Sequence, residues 1–159
     1  MSLDTILSWQ ERVRTFQQKI KNERQYQANL FDQPDSALID PFSLDTFTED
    51  FYRLSPRQGD ACIYFVRDLS FPLLLYVGET NHSYNRWRGI HDCKHYLSQY
   101  RSVLSSHHQP VKIGISFWWD APLEKHARLR LEQFFINRWR PPFNKENWHY
   151  WQTPFVSGV

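Results

Sequence analysis

The stretch "ACIYFVRDLSFPLLLYVG", residues 61–78, decides the fold expected for this chain of 159 residues. Two short runs rich in β-branched, aromatic and aliphatic residues, 61–67 and 73–78, flank the connecting "DLSFP". The pattern predicts an antiparallel hairpin with a loop of several residues. Its second strand is expected to end at Gly78, one of five glycines in the sequence.

The chain after this hairpin predicts two helices and one further strand. "SYNRWRGIHDCKHYLSQYRSVL", residues 83–104, has apolar residues at helical spacing, and "VKIGISFWW", residues 111–119, alternates as a half-buried strand does. "PLEKHARLRLEQFFINRW", residues 122–139, predicts a second helix that the prolines at 141–142 stop. The order β-β-α-β-α predicts an α+β fold with a small three-stranded antiparallel sheet flanked by helices.

Residues 2–29 predict an N-terminal accessory helix. Its apolar residues recur at spacings of three and four and form one stripe, which consists of Ile6, Trp9, Val13, Phe16 and Ile20. The stripe would pack on the core of its own chain or form a homodimer through the helix of a second copy. Its length of about two to three heptads favours packing.

Residues 30–60 are acidic and contain three prolines, so they predict connecting structure with a short helix near "SLDTFTEDFYRL". The expected organisation is therefore a helical accessory segment and linker over 1–58, the α+β domain over 59–147 and a C-terminal tail over 148–159.

Composition excludes several classes of protein. Apolar residues make up 41% and aromatic residues 17%, which argues against disorder. No run approaches the roughly 20 apolar residues of a membrane helix. The N-terminus lacks the pattern of a signal peptide, and Cys62 and Cys93 are too few for a disulfide framework, so a cytoplasmic location is expected.

The net charge of +2 hides an uneven distribution. Residues 1–60 hold 7 Lys and Arg against 10 Asp and Glu, whereas residues 61–159 hold 12 against 7. A basic, aromatic-rich part is compatible with a polyanion such as nucleic acid, although an ordinary domain also reaches this charge.

Two features inside the predicted domain indicate a site. Glu132 lies in the apolar stripe of the second helix, where a carboxylate must be paired, bound to a metal or placed at the core edge. Tyr64 and Tyr76 lie on adjacent strands, which could bring both hydroxyls to one surface. Ordinary strand tyrosines would give the same pattern.

The chain resembles the GIY-YIG nuclease superfamily over about residues 59–147. The resemblance is carried by the stretches "CIYF", "YVGET", "RW" and "LEQFFINRWRPPFN". That superfamily includes the N-terminal nuclease domain of the excision-repair protein UvrC, homing endonucleases and some restriction enzymes. The resemblance rests on the order and spacing of five residues, which are Tyr64, Tyr76, Arg86, Glu132 and Asn144.

The resemblance implies a DNA endonuclease that hydrolyses phosphodiester bonds with a single Mg²⁺ or Mn²⁺ held by Glu132. Arg86 would bind the scissile phosphate. Tyr64 and Tyr76 would orient or deprotonate the attacking water, and Asn144 would hold the site together by hydrogen bonds. His91 is a further catalytic candidate. The candidates for substrate binding are Gly78, Arg88, Arg140 and Lys145.

Other cations and two departures from the family pattern leave alternatives open. Arg128, with neighbouring arginines, could track phosphates or form a solvated helix face. Cys62 replaces the first Gly of GIY, and Glu79 stands where UvrC-like domains carry a lysine. The chain could therefore be a nucleic-acid-binding module that does not cut, or an interaction protein with a vestigial nuclease face.

Overall fold

The computed structural model of the chain describes residues 1–30, 39–48, 61–81 and 92–156. Within them, four helices and a four-stranded antiparallel sheet confirm the predicted α+β class. The helices are α1 (Leu3–Leu30), α2 (Asp92–Ser106), α3 (Lys125–Trp139) and α4 (Lys145–Trp151). The strands are β1 (Thr46–Phe47), β2 (Cys62–Asp68), β3 (Leu73–Thr80) and β4 (Ile113–Trp118). None of the described helices has the length and apolar content of a membrane span.

The sheet has the strand order β1-β4-β2-β3, and it contains one strand more than predicted. The additional β1 pairs Thr46 with Ser116 and lies inside the segment expected to form a short helix. A strand of two residues is too short for its alternation to be recognised in the sequence. β2 and β3 form the expected hairpin, but β3 continues past Gly78 to Thr80.

A β-bulge in the hairpin decides which side chains share a face. Val66 lies opposite Tyr76 and Arg67 lies opposite Leu74, so Leu75 is the extra residue of β3. Simple alternation predicts that Leu74 and Tyr76 share a face, and this expectation is wrong. The bulge places Leu74 on the side of α3, while Tyr76 packs on the opposite side.

Each face of the sheet is covered by its own apolar layer. One face packs against α1, α2 and the C-terminal residues, and its buried core includes Trp9, Leu97 and Phe155. The other packs against α3, whose Phe135 and Trp139 contact the sheet. The predicted accessory segment and tail thus both contribute to the core around this sheet.

α1 is tied to the edge strand β3. Ile6, Trp9 and Val13 of the predicted stripe are buried within the chain, so the surface expected for a helix pair is already covered. The Gln17 side chain bonds both backbone groups of Leu74: its Nε2 donates to the carbonyl at 2.9 Å, and its Oε1 accepts from the N–H at 2.9 Å. The Gln17 amide thus satisfies backbone groups that a neighbouring strand would otherwise bond.

A buried polar network ties α1 and α2 to the hairpin loop. Tyr100 donates its hydroxyl to Asp68 Oδ2 at 2.7 Å and accepts from Gln10 Nε2 at 2.6 Å. Asp68 Oδ1 also accepts from the N–H of Ser70 at 2.8 Å. Burial raises the pKa of Asp68, although these hydrogen bonds oppose the effect. Burial, followed by the nearby Asp68 charge, raises the pKa of Tyr100.

Candidate active site

Several of the predicted site residues lie in or contact four consecutive residues of β3, 76–79. Tyr76 is itself a predicted site residue. Each of the three residues after it is contacted by a different predicted site residue. Asn144 contacts Val77, Tyr64 contacts Gly78 and Glu132 contacts Glu79. The contacting residues come from β2, from α3 and from the loop before α4, so the fold brings together groups that are far apart in the sequence.

Tyr64 and Tyr76 lie on the same face of the hairpin, as expected for residues of adjacent strands. Their ring centroids are 6.1 Å apart and their planes differ by 29°. Tyr64 is fully buried, whereas Tyr76 is half-buried and retains access to solvent. The structure therefore distinguishes two tyrosines that the sequence leaves equivalent.

Gly78 has a packing role beside this pair. It lies directly opposite Tyr64 in the register, and a Cβ at position 78 would overlap the Cζ and hydroxyl oxygen of the Tyr64 ring. The absence of a side chain at 78 makes room for the phenol. The predicted substrate-binding role of Gly78 remains a prediction.

Glu132 projects from the middle of α3 toward the end of β3. Its Oε1 accepts a hydrogen bond from the backbone N–H of Glu79 at 3.1 Å, which fixes the carboxylate relative to the strand. The side chain is half-buried, at the edge of the face that buries Phe135 and Ile136. α3 begins at an N-cap formed by Glu124, whose pKa is lowered by hydrogen bonds from two backbone N–H groups.

Arg128 contacts this group of residues in a way that the sequence analysis did not predict. Its Nε donates to Glu79 Oε2 at 2.7 Å, and its side chain is only 1% exposed. Its Nη1 donates to the carbonyls of Pro122 at 3.1 Å and Leu123 at 2.9 Å. The expectation that Arg128 tracks phosphates or faces solvent is therefore wrong. Its position four residues before Glu132 indicates that the two share one side of the helix, but not that Arg128 is buried or paired with Glu79.

Asn144 binds the backbone of the edge strand β3 next to Tyr76. Its Oδ1 accepts from the N–H of Val77 at 3.0 Å, and its Nδ2 donates to the Val77 carbonyl at 2.9 Å. The N–H of Phe143 donates to the Leu75 carbonyl at 2.9 Å. The loop after the prolines thus satisfies backbone hydrogen-bonding groups on the free edge of β3. Asn144 itself is buried, with 4% of its surface exposed.

Two predicted substrate-binding cations lie near α4. Arg140 is the left-handed C-cap of α3, with φ 46°, and its guanidinium lies 4.1 Å from the centroid of the Tyr150 ring. Lys145 is exposed at the start of α4, with its Nζ 5.8 Å from the Trp148 ring centroid. The remaining predicted site residues, Arg86, Arg88 and His91, lie outside the described residues.

Cys62, which stands where the GIY motif has its first glycine, occupies its position without backbone strain. Cys62 lies in regular strand β2, paired with Thr80, and it is fully buried in the core. A position in a regular strand does not need the positive φ that favours glycine.

The donor chemistry at β3 fits a hydrated divalent cation. Glu132 supplies a carboxylate whose orientation is fixed by the Glu79 N–H, and Mg²⁺ is commonly held by one carboxylate, waters and substrate phosphate. In the described parts of the chain, no three His, Cys, Asp or Glu residues are grouped so as to hold a metal. Glu132 is therefore a candidate ligand for a cation whose other ligands would be waters and substrate phosphate.

Comparisons with protein-family models, curated proteins and solved structures find no match to this chain.

Proposed function

We propose that this protein is a metal-dependent DNA endonuclease with a GIY-YIG-type active site. The supporting observation is the convergence of Tyr64, Tyr76, Glu132 and Asn144 on residues 76–79 of β3. A chance match of short motifs would not require Tyr64 and Asn144, which are 80 positions apart in the sequence, to contact neighbouring residues of one strand.

The difference in burial between the two tyrosines supports different roles for them in the proposed reaction. Tyr76 is the half-buried member of the pair, which favours it as the tyrosine whose hydroxyl orients the attacking water. Tyr64 is fully buried and acts as a positioning residue that holds the Tyr76 ring from beside Gly78. An unperturbed phenol with a pKa near 10 is a weak base at neutral pH, which favours orientation of water over proton removal.

Glu132 and Arg86 would act on the phosphate. Glu132 would hold the Mg²⁺ or Mn²⁺, which supplies Lewis-acid stabilisation of charge on the phosphoryl oxygens. Arg86 would supply a permanent cation with two-pronged hydrogen bonding to the scissile phosphate. Asn144 keeps β3 in place through its two hydrogen bonds to the backbone of Val77.

The cysteines agree with the cytoplasmic location that we also propose. Both Cys62 and Cys93 are buried free thiols, as is usual for proteins of reducing compartments.

The test is a cleavage screen with Mg²⁺ and Mn²⁺ over supercoiled, flap, branched and single-stranded DNA. Wild type should nick or cut at least one substrate, and Glu132→Gln should lose this activity. Glu146→Gln is the matched control, because it makes the same change at an exposed position on α4. Undiminished cleavage by folded Glu132→Gln would overturn the proposal. Salt-sensitive DNA binding without cleavage by wild type would instead support a binding module that does not cut.

A further inference from the structure

An arginine and two aromatic rings meet where α1, the end of α3 and α4 come together. The guanidinium carbon of Arg140 lies 4.1 Å from the ring centroid of Tyr150 and 5.9 Å from that of Phe16. The two rings are arranged edge to face, with their centroids 6.2 Å apart. These three residues, called the Arg140 cluster below, join elements that are far apart in the sequence.

The backbone of Arg140 is held at both of its polar groups. Its N–H donates to the Ile136 carbonyl at 3.0 Å, and its carbonyl accepts from Trp151 Nε1 at 2.6 Å. In the part of the chain that the structure describes, no acceptor bonds the guanidinium, and Glu146, one turn before Tyr150 on α4, forms no ion pair with it. A guanidinium carries five N–H donors in a planar fork that matches phosphate. The stacked Arg140 side chain therefore offers these donors to an anion.

The Tyr150 ring is held by a buried neighbour and is itself exposed. Its centroid lies 4.7 Å from that of Trp151 in an edge-to-face contact. Trp151 is 5% exposed, whereas Tyr150 is 50% exposed. Proteins that bind single-stranded nucleic acid use such exposed rings to stack unpaired bases, and nearby arginines to bind the strand. The Arg140 cluster combines both groups.

Further cations lie on the α1 side of the cluster. Arg12 and Lys19 are exposed and lie about one turn before and one turn after Phe16. Lys19 is 3.9 Å from Glu23, and a pair between such exposed side chains is weak. These charges favour an anionic partner, and the exposed ring favours a partner that has unpaired bases.

We propose that the Arg140 cluster binds a single-stranded segment of DNA, with a phosphate on the guanidinium and an unpaired base stacked on the Tyr150 ring. The inference rests on the proposed function and gives its substrate class, which is DNA with an unpaired strand beside the bond that is cut. Duplex DNA does not offer the base, because its bases are already paired and stacked. Through Phe16, the accessory helix α1 takes part in this binding.

The position of the cluster suits this role. Arg140 precedes Asn144 by four residues, a span of at most about 14 Å. Asn144 bonds the backbone of Val77, the residue after Tyr76. At about 3.4 Å per phosphate of one strand, the cluster lies within about four nucleotides of the candidate active site.

The experiment measures the binding of fluorescein-labelled DNA by anisotropy, in EDTA so that no cleavage occurs. The ligands are a strand of thymidines, an abasic strand of the same length and a duplex. Wild type should bind the thymidine strand about tenfold more tightly than the abasic strand, the scale of one base stacked on an aromatic ring. Tyr150→Leu should lose this preference while its duplex affinity stays within about twofold of wild type. Tyr150→Phe keeps the ring and should retain the preference.

Arg140→Gln tests the phosphate contact. It should weaken the binding of both strands and reduce the slope of log affinity against log salt concentration by about 0.7, the value for one phosphate contact on a single strand. Arg130→Gln is the matched control, because it removes one charge at an exposed position about 15 Å away along α3. An equal change of slope in Arg130→Gln would indicate a general effect of charge and would overturn the inference.

Other outcomes separate this inference from the proposed function. The inference is overturned if wild type does not prefer the thymidine strand, or if a folded Tyr150→Leu protein keeps the preference. Displacement of the strand by polyglutamate as readily as by unlabelled DNA would indicate an acidic protein partner and would also overturn it. Circular dichroism checks folding, and if Tyr150→Leu unfolds, the slope of Arg140→Gln decides. Binding as expected without cleavage of any DNA in Mg²⁺ or Mn²⁺ would leave the binding surface standing and overturn the nuclease.

Discussion

The phenol ring of Tyr64 occupies the space above Gly78 where any other residue would carry its Cβ. The two residues are directly opposite in the β2–β3 register, and a Cβ at 78 would lie 2.8 Å from Tyr64 Cε1 and closer still to the end of the ring. The "CIY" and "YVG" motifs are therefore two halves of one packing unit. The glycine is required by a tyrosine of the neighbouring strand.

Gly78→Ala should displace this ring and disturb its stacking on Tyr76. Overpacking of a dense core typically costs about 1–3 kcal/mol, and a similar loss is expected in the free energy of unfolding measured with urea. Cleavage should fall further than stability alone explains, because the Tyr76 hydroxyl would move. The same substitution made together with Tyr64→Leu should cost less, since the ring that it overlaps is gone. Equal costs with and without the ring would contradict the packing argument.

Glu79→Lys should weaken the fold and should not improve the proposed cleavage, although lysine is the residue type that UvrC-like domains carry after this glycine. It removes the partner of a 1% exposed arginine and adds a like charge beside it. Breaking a buried ion pair typically costs about 3–5 kcal/mol, to be measured as the loss in unfolding free energy. Glu146→Lys makes the same charge change at an exposed site and should cost less than about 1 kcal/mol. A Glu79→Lys protein as stable as wild type would show that Arg128 does not need Glu79.

The parts of the fold that were predictable are those with local signals. The hairpin runs, the alternation of β4 and the prolines after α3 act within a few residues, and the structure confirms these elements. The bulge at Leu75 and the two-residue β1 depend on pairing with distant strands. Neither leaves a periodic pattern in its own segment, so both were missed.

The candidate site likewise has features with a local sequence signal and features that depend on distant contacts. Glu132 and the two tyrosines were predicted as site residues from an anomalous carboxylate, paired strand positions and a family resemblance. The contacts that hold the site together were not predictable from the sequence. The hydrogen bond between Asn144 and Val77 spans 67 residues, and the bond between Arg128 and Glu79 spans 49. A helical arginine is usually solvated, and only the tertiary structure shows that Arg128 is buried.

Asn144→Ala should loosen the edge strand that carries Tyr76. The change leaves the Val77 N–H and carbonyl without their partner, at a cost of about 1–3 kcal/mol for each buried group left unpaired. Amide hydrogen exchange at Val77 should accelerate more than the global loss of stability explains. Asn137→Ala, at an exposed position of α3, should change stability by no more than about 0.5 kcal/mol. Unchanged protection of the Val77 amide would contradict this role.

The last prediction concerns the pH dependence of stability through Asp68. Burial raises its pKa in the folded state, so the folded protein takes up a proton at a higher pH than the unfolded chain. The stabilisation is fully present below the unfolded pKa of about 3.9 and is lost as pH rises through the folded value. Asp68→Asn removes this titration while keeping an acceptor for the loop N–H groups.

The unfolding free energy of wild type minus that of Asp68→Asn should therefore increase as pH falls from about 7 to the ordinary carboxylate pKa of about 3.9. Taking the difference cancels groups that titrate alike in both proteins. Asp120→Asn, at an exposed turn, is the matched control and should give a difference that stays flat with pH. A difference that decreases toward acid would mean that the hydrogen bonds from Tyr100 and the loop outweigh burial and lower the pKa of Asp68.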